Sequence, residues 1–248
     1  ACAKHFPGHG DTDSDSHKTL PVVNHTKARI DTVDLIPFKR LIDAGVASVM
    51  VAHLNIPSLD STENRASTLS PYVVDTILHQ QLNFSGLTFT DALNMKGVSS
   101  FYESGVLEVA ALQAGNDVLL FPEDIPAAFT AIKKAIQDSL LTEDRINQSC
   151  HKILKAKEWL GLTSYEQIDT LNVLNRAQND DSEFLIRRLE EGALTLLKNV
   201  EEEIPVAELK NQKIAVLALG NSDSEAFVNQ LKRYANVHTF NTAIDEAS

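Results

Sequence analysis

Three short apolar runs constrain the fold more than anything else in the chain: residues 47–52 (Ala-Ser-Val-Met-Val-Ala), 86–90 (Gly-Leu-Thr-Phe-Thr) and 117–121 (Asp-Val-Leu-Leu-Phe). The run at 47–52 does not alternate polar with apolar, as expected of a strand buried on both faces of a sheet. Residues 1–6 read as the end of a preceding strand. Between the runs lie segments with helical signals. Residues 31–44 carry Val33, Ile36, Phe38, Leu41 and Ile42 at helical spacing, and Gly45 ends them. Ser70-Pro71 opens a helix to about residue 83, with proline in its first turn. Further helices are expected over 104–114, 126–139 and 142–160, and the stretch 53–69 reads as a polar loop. Strand, loop and helix in repeated order imply a parallel sheet with right-handed crossovers, hence an α/β fold.

Beyond residue 160 the pattern pauses. Residues 161–181 read as a polar linker. Ser182 is placed to cap a helix running to 198. Lys213–Leu219 reads as a strand, Gly220-Asn221 as a turn, 224–234 as a helix and 236–240 as a second strand. A strand meeting Gly220 before a helix hints at a dinucleotide fold, but the other glycines of that fingerprint are missing.

With 43% apolar residues in 248, the chain can build a substantial core. Its 34 acids against 22 bases give a formal charge of −12, which argues against nucleic acid or an anionic membrane as partner but does not repel a neutral sugar. No apolar run reaches the ~18 residues of a membrane span. Cys2 and Cys150 fit neither a disulfide framework nor a metal motif and are expected to be small buried residues.

The chemistry concentrates in the loop after the first strand, Lys4-His5-Phe6-Pro7-Gly8-His9-Gly10-Asp11-Thr12-Asp13-Ser14-Asp15-Ser16-His17. Three histidines and three aspartates this close perturb one another's proton affinities, and such perturbation marks functional sites. A plain polar surface loop is the bland reading. A calcium loop starting at Asp11 fails, because its sixth and twelfth positions hold Ser16 and Val22 rather than Gly and Glu. A transition-metal site on His5, His9 and His17 stays open. So does acid–base catalysis, with Asp15 orienting His17 and stabilising its charged form. Strand-end groups suit an active site if the sheet closes into a barrel. Lys4 and His5 end the first strand, His53 follows the second, Asp91 the third, and Phe121-Pro122 the fourth.

Lys4 to Gly10, followed by Asp11-Thr12 and Asp15-Ser16-His17, resembles the signature of the NagZ-type β-N-acetylglucosaminidases of glycoside hydrolase family 3. Asp91, in Phe89-Thr90-Asp91-Ala92-Leu93-Asn94-Met95-Lys96-Gly97, matches that family's nucleophile position. Ala92 stands where the family's β-glucosidases resemble one another in carrying tryptophan, which favours the hexosaminidase branch. The resemblance implies a retaining exo-β-N-acetylglucosaminidase acting on peptidoglycan fragments or chitooligosaccharides. In it Asp91 is the nucleophile, His17 the acid/base backed by Asp15, and Lys4 and His5 contact sugar hydroxyls, with no cofactor or metal. His9 would brace the loop, Asp117 would be structural and Arg65 a solvated loop arginine.

For the fold, the resemblance implies the C-terminal half of a (β/α)8 TIM barrel over residues 1–160, a linker over 161–181 and the start of a second α/β sandwich domain over 182–248. The first half of the barrel, with its sugar-binding aspartate and arginine, would lie upstream of Ala1. Without it the 248 residues are not expected to turn over substrate alone. The compartment stays open between bacterial envelope and cytoplasm. A metal-dependent hydrolase built on the His/Asp cluster and a non-catalytic carbohydrate-binding protein are the rival readings, and hydrolysis is not separated from phosphorolysis.

Overall fold

The computed structural model describes the chain apart from residues 13, 16, 17, 168, 169, 178, 203, 221, 222 and 243–248, and the side chains of 175, 180 and 242. By contacts the chain divides into two units, Ala1–Glu166 and Gln167–Ser248.

The first unit is laid out on three parallel strands in the order β1 (Cys2–Phe6), β2 (Ser48–Val51) and β3 (Leu87–Thr90). Val49 stands opposite Ala3 and Thr88, and Val51 opposite Phe6 and Thr90. These residues form the covered face. Helix α1 (27–43, in segments Lys27–Arg29, Ile30–Asp34 and Leu35–Asp43) and helix α2 (Tyr72–Gln81) pack there. Phe6, Ile30, Phe38, Val49, Val51, Val73, Ile77 and Leu78 make one continuous core. Gly45, at φ +81°, ends α1 where the sequence placed the stop.

The opposite face is not buried as expected. Ser48 and Met50 on β2 and Leu87 and Phe89 on β3 are only half-buried. The strands therefore carry one dry face, which holds the core, and one that borders an open cavity.

The fourth expected strand, 117–121, is reduced to a single parallel bridge between Phe89 and Val118. It still runs along β3: Val118 N–H donates to Thr88 C=O (3.0 Å) and Thr90 N–H to Val118 C=O (3.0 Å). The ladder stops because Leu120 N–H turns to the Thr90 hydroxyl (2.9 Å) and Phe121 takes φ +47°. The stretch 53–69 is only partly a solvated loop. Leu54, Ile56, Leu59, Ala66 and Leu69 are buried, and Val22 bridges Asn55 in parallel. Residues 57, 58 and 61–64 are exposed, whereas His53, Asp60, Ser67 and Thr68 spend their side chains on internal bonds.

Helices α3 (Lys96–Ser99), α4 (Val106–Ala114), α5 (Ile125–Gln137) and α6 (Glu143–Trp159) complete the unit. Thr142 and Asp124 cap α6 and α5 through their side chains. Both cysteines are exposed, contrary to expectation. Cys2 begins β1, and Cys150 sits on an outward turn of α6, whose only buried residue is Ser149.

In the second unit, α7 (Val173–Ala177) lies inside the stretch read as linker, and α8 spans Asp180–Ala193. The cap of α8 is Asn179 rather than Ser182: the Asn179 side chain accepts the Ser182 N–H at 2.9 Å. Strand β4 (Lys213–Leu219), helix α9 (Glu225–Lys232) and strand β5 (Asn236–Thr242) form a parallel β-α-β unit paired along all seven residues.

Candidate functional site

The carboxyl ends of the parallel strands bring together Lys4, His5, His9, Asp15 and Asp91. A cavity of about 580 Å³ opens there. Lys4 and His5 on β1, His9 and Asp15 on the following loop, Met50 on β2, and Asp91 and Leu120 beyond β3 line it. Of the five residues singled out from sequence, the structure thus brings Lys4, His5, Asp15 and Asp91 to one space. The fifth, His17, lies outside the described residues.

Each is positioned by the strand it leaves. Lys4 and His5 sit within β1, which continues to Phe6, and the Lys4–His5 and Phe6–Pro7 peptides are both cis. Ala52 N–H donates to Phe6 C=O (2.8 Å) and Asp91 N–H to Val51 C=O (2.9 Å). These two bonds carry the ladder one step past the strands and fix where the loops depart. Asp91 is half-buried, and its Oδ1 accepts the N–H of Ala92 at 2.9 Å.

The loop is braced from within and from outside. The Thr12 hydroxyl meets His9 Nδ1 at 2.8 Å, and the His5 and His9 rings meet edge to face with centroids 5.9 Å apart. Asp11 Oδ2 accepts from His25 Nε2 (2.9 Å) and from the Arg29 guanidinium (3.1 Å), and Arg29 also reaches Asp34 at 2.8 Å. Gly8, at φ +139°, passes so close to Asp34 that a side chain would touch its Cβ at 3.0 Å. The aspartates of the loop therefore divide their work: Asp11 ties the loop to α1, while Asp15 faces the cavity.

Beneath Asp91 lies His53, fully buried. Its Nδ1 is 2.8 Å from the Thr68 hydroxyl and its Nε2 3.0 Å from the Ala92 carbonyl. Burial pulls its pKa below the ordinary histidine value. The Ala92 carbonyl and the Asp91 charge oppose that shift, and His5 adds to it. The sequence pointed to His53 by its place after a strand. It gave no sign of Thr68, which is fifteen residues on in a stretch that reads as surface.

Arg65 pairs loosely with Asp60 at 3.7 Å, away from the cavity. Asp117 sits at the other end of the sheet, where Ser149, Lys152 and Arg145 surround it. Among the described residues no group of three or more His, Cys, Asp or Glu could hold a metal ion.

The family model described as "Glycosyl hydrolase family 3 N terminal domain" matches residues 1–156. The chain is 32% identical over 219 residues to "Beta-hexosaminidase A" of Pseudoalteromonas piscicida, covering 79% of this chain and 36% of that protein. It is 36% identical over 162 residues to a "Beta-hexosaminidase" of Chromobacterium violaceum, covering 64% and 44%. Among solved structures it is similar to a glycoside hydrolase family 3 beta-N-acetylglucosaminidase from Paenibacillus sp. str. FPU-7, with a TM-score of 0.70 and 29% identity over 98% of this chain and 48% of that one. The chain spans less than half the length of each of these relatives.

Proposed function

Because the chain belongs to glycoside hydrolase family 3, we propose that it carries the reactive groups of a retaining exo-β-N-acetylglucosaminidase that removes terminal β-linked N-acetylhexosamine from peptidoglycan fragments or chitooligosaccharides. Relatives named beta-hexosaminidase, at 32% and 36% identity, support the substrate class. The observation that carries the reading is the single cavity shared by Asp91, Asp15, Lys4 and His5.

The chemistry follows from the groups. Cleaving a glycosidic bond passes through an oxocarbenium-like state, and a carboxylate facing the anomeric carbon can capture it as a covalent glycosyl-enzyme. Asp91 is that carboxylate. The bond from its oxygen to the anomeric carbon forms as the bond to the leaving oxygen breaks, and His17 gives the leaving oxygen its proton. In the second step His17 takes a proton from water, whose oxygen displaces Asp91. Two displacements restore the original anomeric configuration. An imidazole suits both proton transfers, since its ordinary pKa of ~6.5 lies near neutrality. Asp15 holds the ring and stabilises its charged form, while Lys4 and His5 contact sugar hydroxyls.

On this reading β1, β2, β3 and the 117–120 stretch are consecutive strands of the second half of a (β/α)8 barrel. Their all-parallel order and the 0.70 TM-score support that. Residues 1–160 then form the barrel part, 161–181 the linker, and 182–248 the beginning of a second α/β domain.

Product analysis of a nitrophenyl N-acetylglucosaminide treated with the full-length protein tests the function. The β-anomer of free N-acetylglucosamine is expected as first product, with or without phosphate. An α-anomer, or a sugar phosphate formed in phosphate buffer, contradicts it.

A further inference from the structure

Asp91 is held by a route that runs beneath it rather than through the cavity. Ala92 is held at both of its backbone groups: its N–H donates to Asp91 Oδ1 at 2.9 Å, and its carbonyl faces His53 Nε2 at 3.0 Å. A carbonyl can only accept, so Nε2 must carry the proton. The other ring nitrogen, Nδ1, faces the Thr68 hydroxyl at 2.8 Å.

That hydroxyl has three acceptors within reach: Nδ1, the Ala52 carbonyl at 2.5 Å and the Val51 carbonyl at 3.3 Å. The Ala52 carbonyl also takes the proton of Ser67 Oγ at 2.6 Å. The ring is thereby held at both nitrogens, by the Thr68 hydroxyl on one side and the Ala92 carbonyl on the other. Burial lowers the His53 pKa, which favours the neutral ring, against the opposing pull of the Ala92 carbonyl and Asp91 and with the help of His5. Thr68 is itself fixed, because the buried Asn116 amide donates to its carbonyl at 2.9 Å and to Ala111 C=O at 2.8 Å.

We propose that His53 is the positioning residue of Asp91: its Nε2–H, with the ring steadied at Nδ1 by Thr68, holds the Ala92 carbonyl so that the Ala92 N–H stays on one carboxylate oxygen of Asp91 and the other, Oδ2, is the atom that attacks the sugar. The role rests on the assignment of Asp91 as nucleophile. His53 touches no substrate. It works by holding the backbone after β3, so its loss should slow bond formation at Asp91 and leave substrate affinity nearly unchanged. Misplacement of a reacting group by ~1 Å costs on the order of 100-fold in rate.

The test uses the full-length protein with a nitrophenyl N-acetylglucosaminide as substrate and a fluorinated N-acetylglucosamine analogue that traps the glycosyl-enzyme. In His53→Phe, which keeps an apolar ring but removes the donor, kcat and the trapping rate should fall together by about 30- to 100-fold, with KM within about threefold. His53→Gln, whose amide restores a donor to the Ala92 carbonyl, should recover at least about a third of that loss on a logarithmic scale. Thr68→Val, which removes the hydroxyl that steadies Nδ1, should show the same split at about 5- to 10-fold, with a melting temperature near wild type. If His53→Phe does not fold, the Thr68→Val split decides. Wild-type kcat in a folded His53→Phe or Thr68→Val protein overturns the role. So does a His53→Gln protein as slow as His53→Phe, since a donor would then be beside the point. A wild-type protein that the analogue does not label at Asp91 overturns the glycosidase reading, and the role with it. A labelled wild type beside an equally fast His53→Phe overturns the role alone.

Discussion

Asp91 and Asp117 mark the two ends of one piece of sheet. Asp91 follows β3, half-buried at the cavity, and among the described residues its side chain bonds the next N–H in the chain. Asp117 precedes the stretch paired with β3, with a side chain only 1% exposed. It accepts from Ser149 Oγ (2.7 Å), Lys152 Nζ (2.9 Å), Thr88 N–H (3.1 Å) and Arg145 (3.4 Å). The two carboxylates lie about three residues apart along the strand direction, roughly 10 Å at ~3.3 Å per residue. One is saturated with partners and locks α6 onto the sheet. The other is left with capacity to react. In parallel α/β folds the carboxyl ends of strands carry chemistry and the amino ends carry stability, and with Asp91 as the proposed nucleophile this pair divides along that line.

Substitutions at the two ends should therefore separate activity from stability. Asp91→Asn should lower kcat by at least about 10³-fold, with a melting temperature close to wild type. An active Asp91→Asn protein would break the contrast at its catalytic end. Asp117→Ala should do the reverse. It strands Lys152 and Arg145 beside a buried gap and should cost about 3 kcal/mol in a denaturant melt, with activity per folded molecule retained. A melt like that of wild type would show that the lock is not what holds α6.

His53 sharpens the contrast through pH. Its folded pKa is depressed by burial, so the unfolded chain binds the proton more readily. Its contribution to stability is complete above the unfolded value of ~6.5 and is lost as pH falls from there toward the folded value, with a slope of up to about 1.4 kcal/mol per pH unit. Melting temperatures between pH 7.5 and 5 should fall for the wild type and fall less for His53→Gln. Parallel curves would contradict a buried neutral ring. The smallest effect belongs to the loop. Asp11, half-exposed, bonds His25 and Arg29, and pairs of that kind contribute up to about 1 kcal/mol each. Asp11→Asn should lower the melting temperature slightly and less so at high salt, where screening has already weakened the pairs.

Those differences follow from features that the sequence revealed unevenly. Asp91 was legible because a carboxylate directly after a short apolar strand stands at the sheet's carboxyl end. The structural reading of Asp117 was legible from its place at a strand start. Its partners were not, since Arg145, Ser149 and Lys152 come from a helix some thirty residues on. Strand β4 was legible over Lys213–Leu219, because an apolar run flanked by polar residues leaves few alternatives. The 117–121 run failed as a full strand for a reason that lies across space: the Thr90 hydroxyl takes the N–H that a strand would have paired. The stretch 53–69 looked solvated because its polar residues are many. Ser67 and Thr68 are nevertheless buried, bonding the carbonyls just past β2. The half-buried inner face was misjudged because an apolar run does not disclose whether both of its sides are covered.

The central claim is that Asp91 forms a bond to the sugar. Treating the full-length protein with a fluorinated N-acetylglucosamine analogue and mapping the labelled peptide by mass spectrometry tests it most directly. One added sugar is expected on the peptide containing Asp91, abolished in Asp91→Asn. A label on another carboxylate, or turnover with no covalent adduct in a protein that binds the analogue, would contradict it.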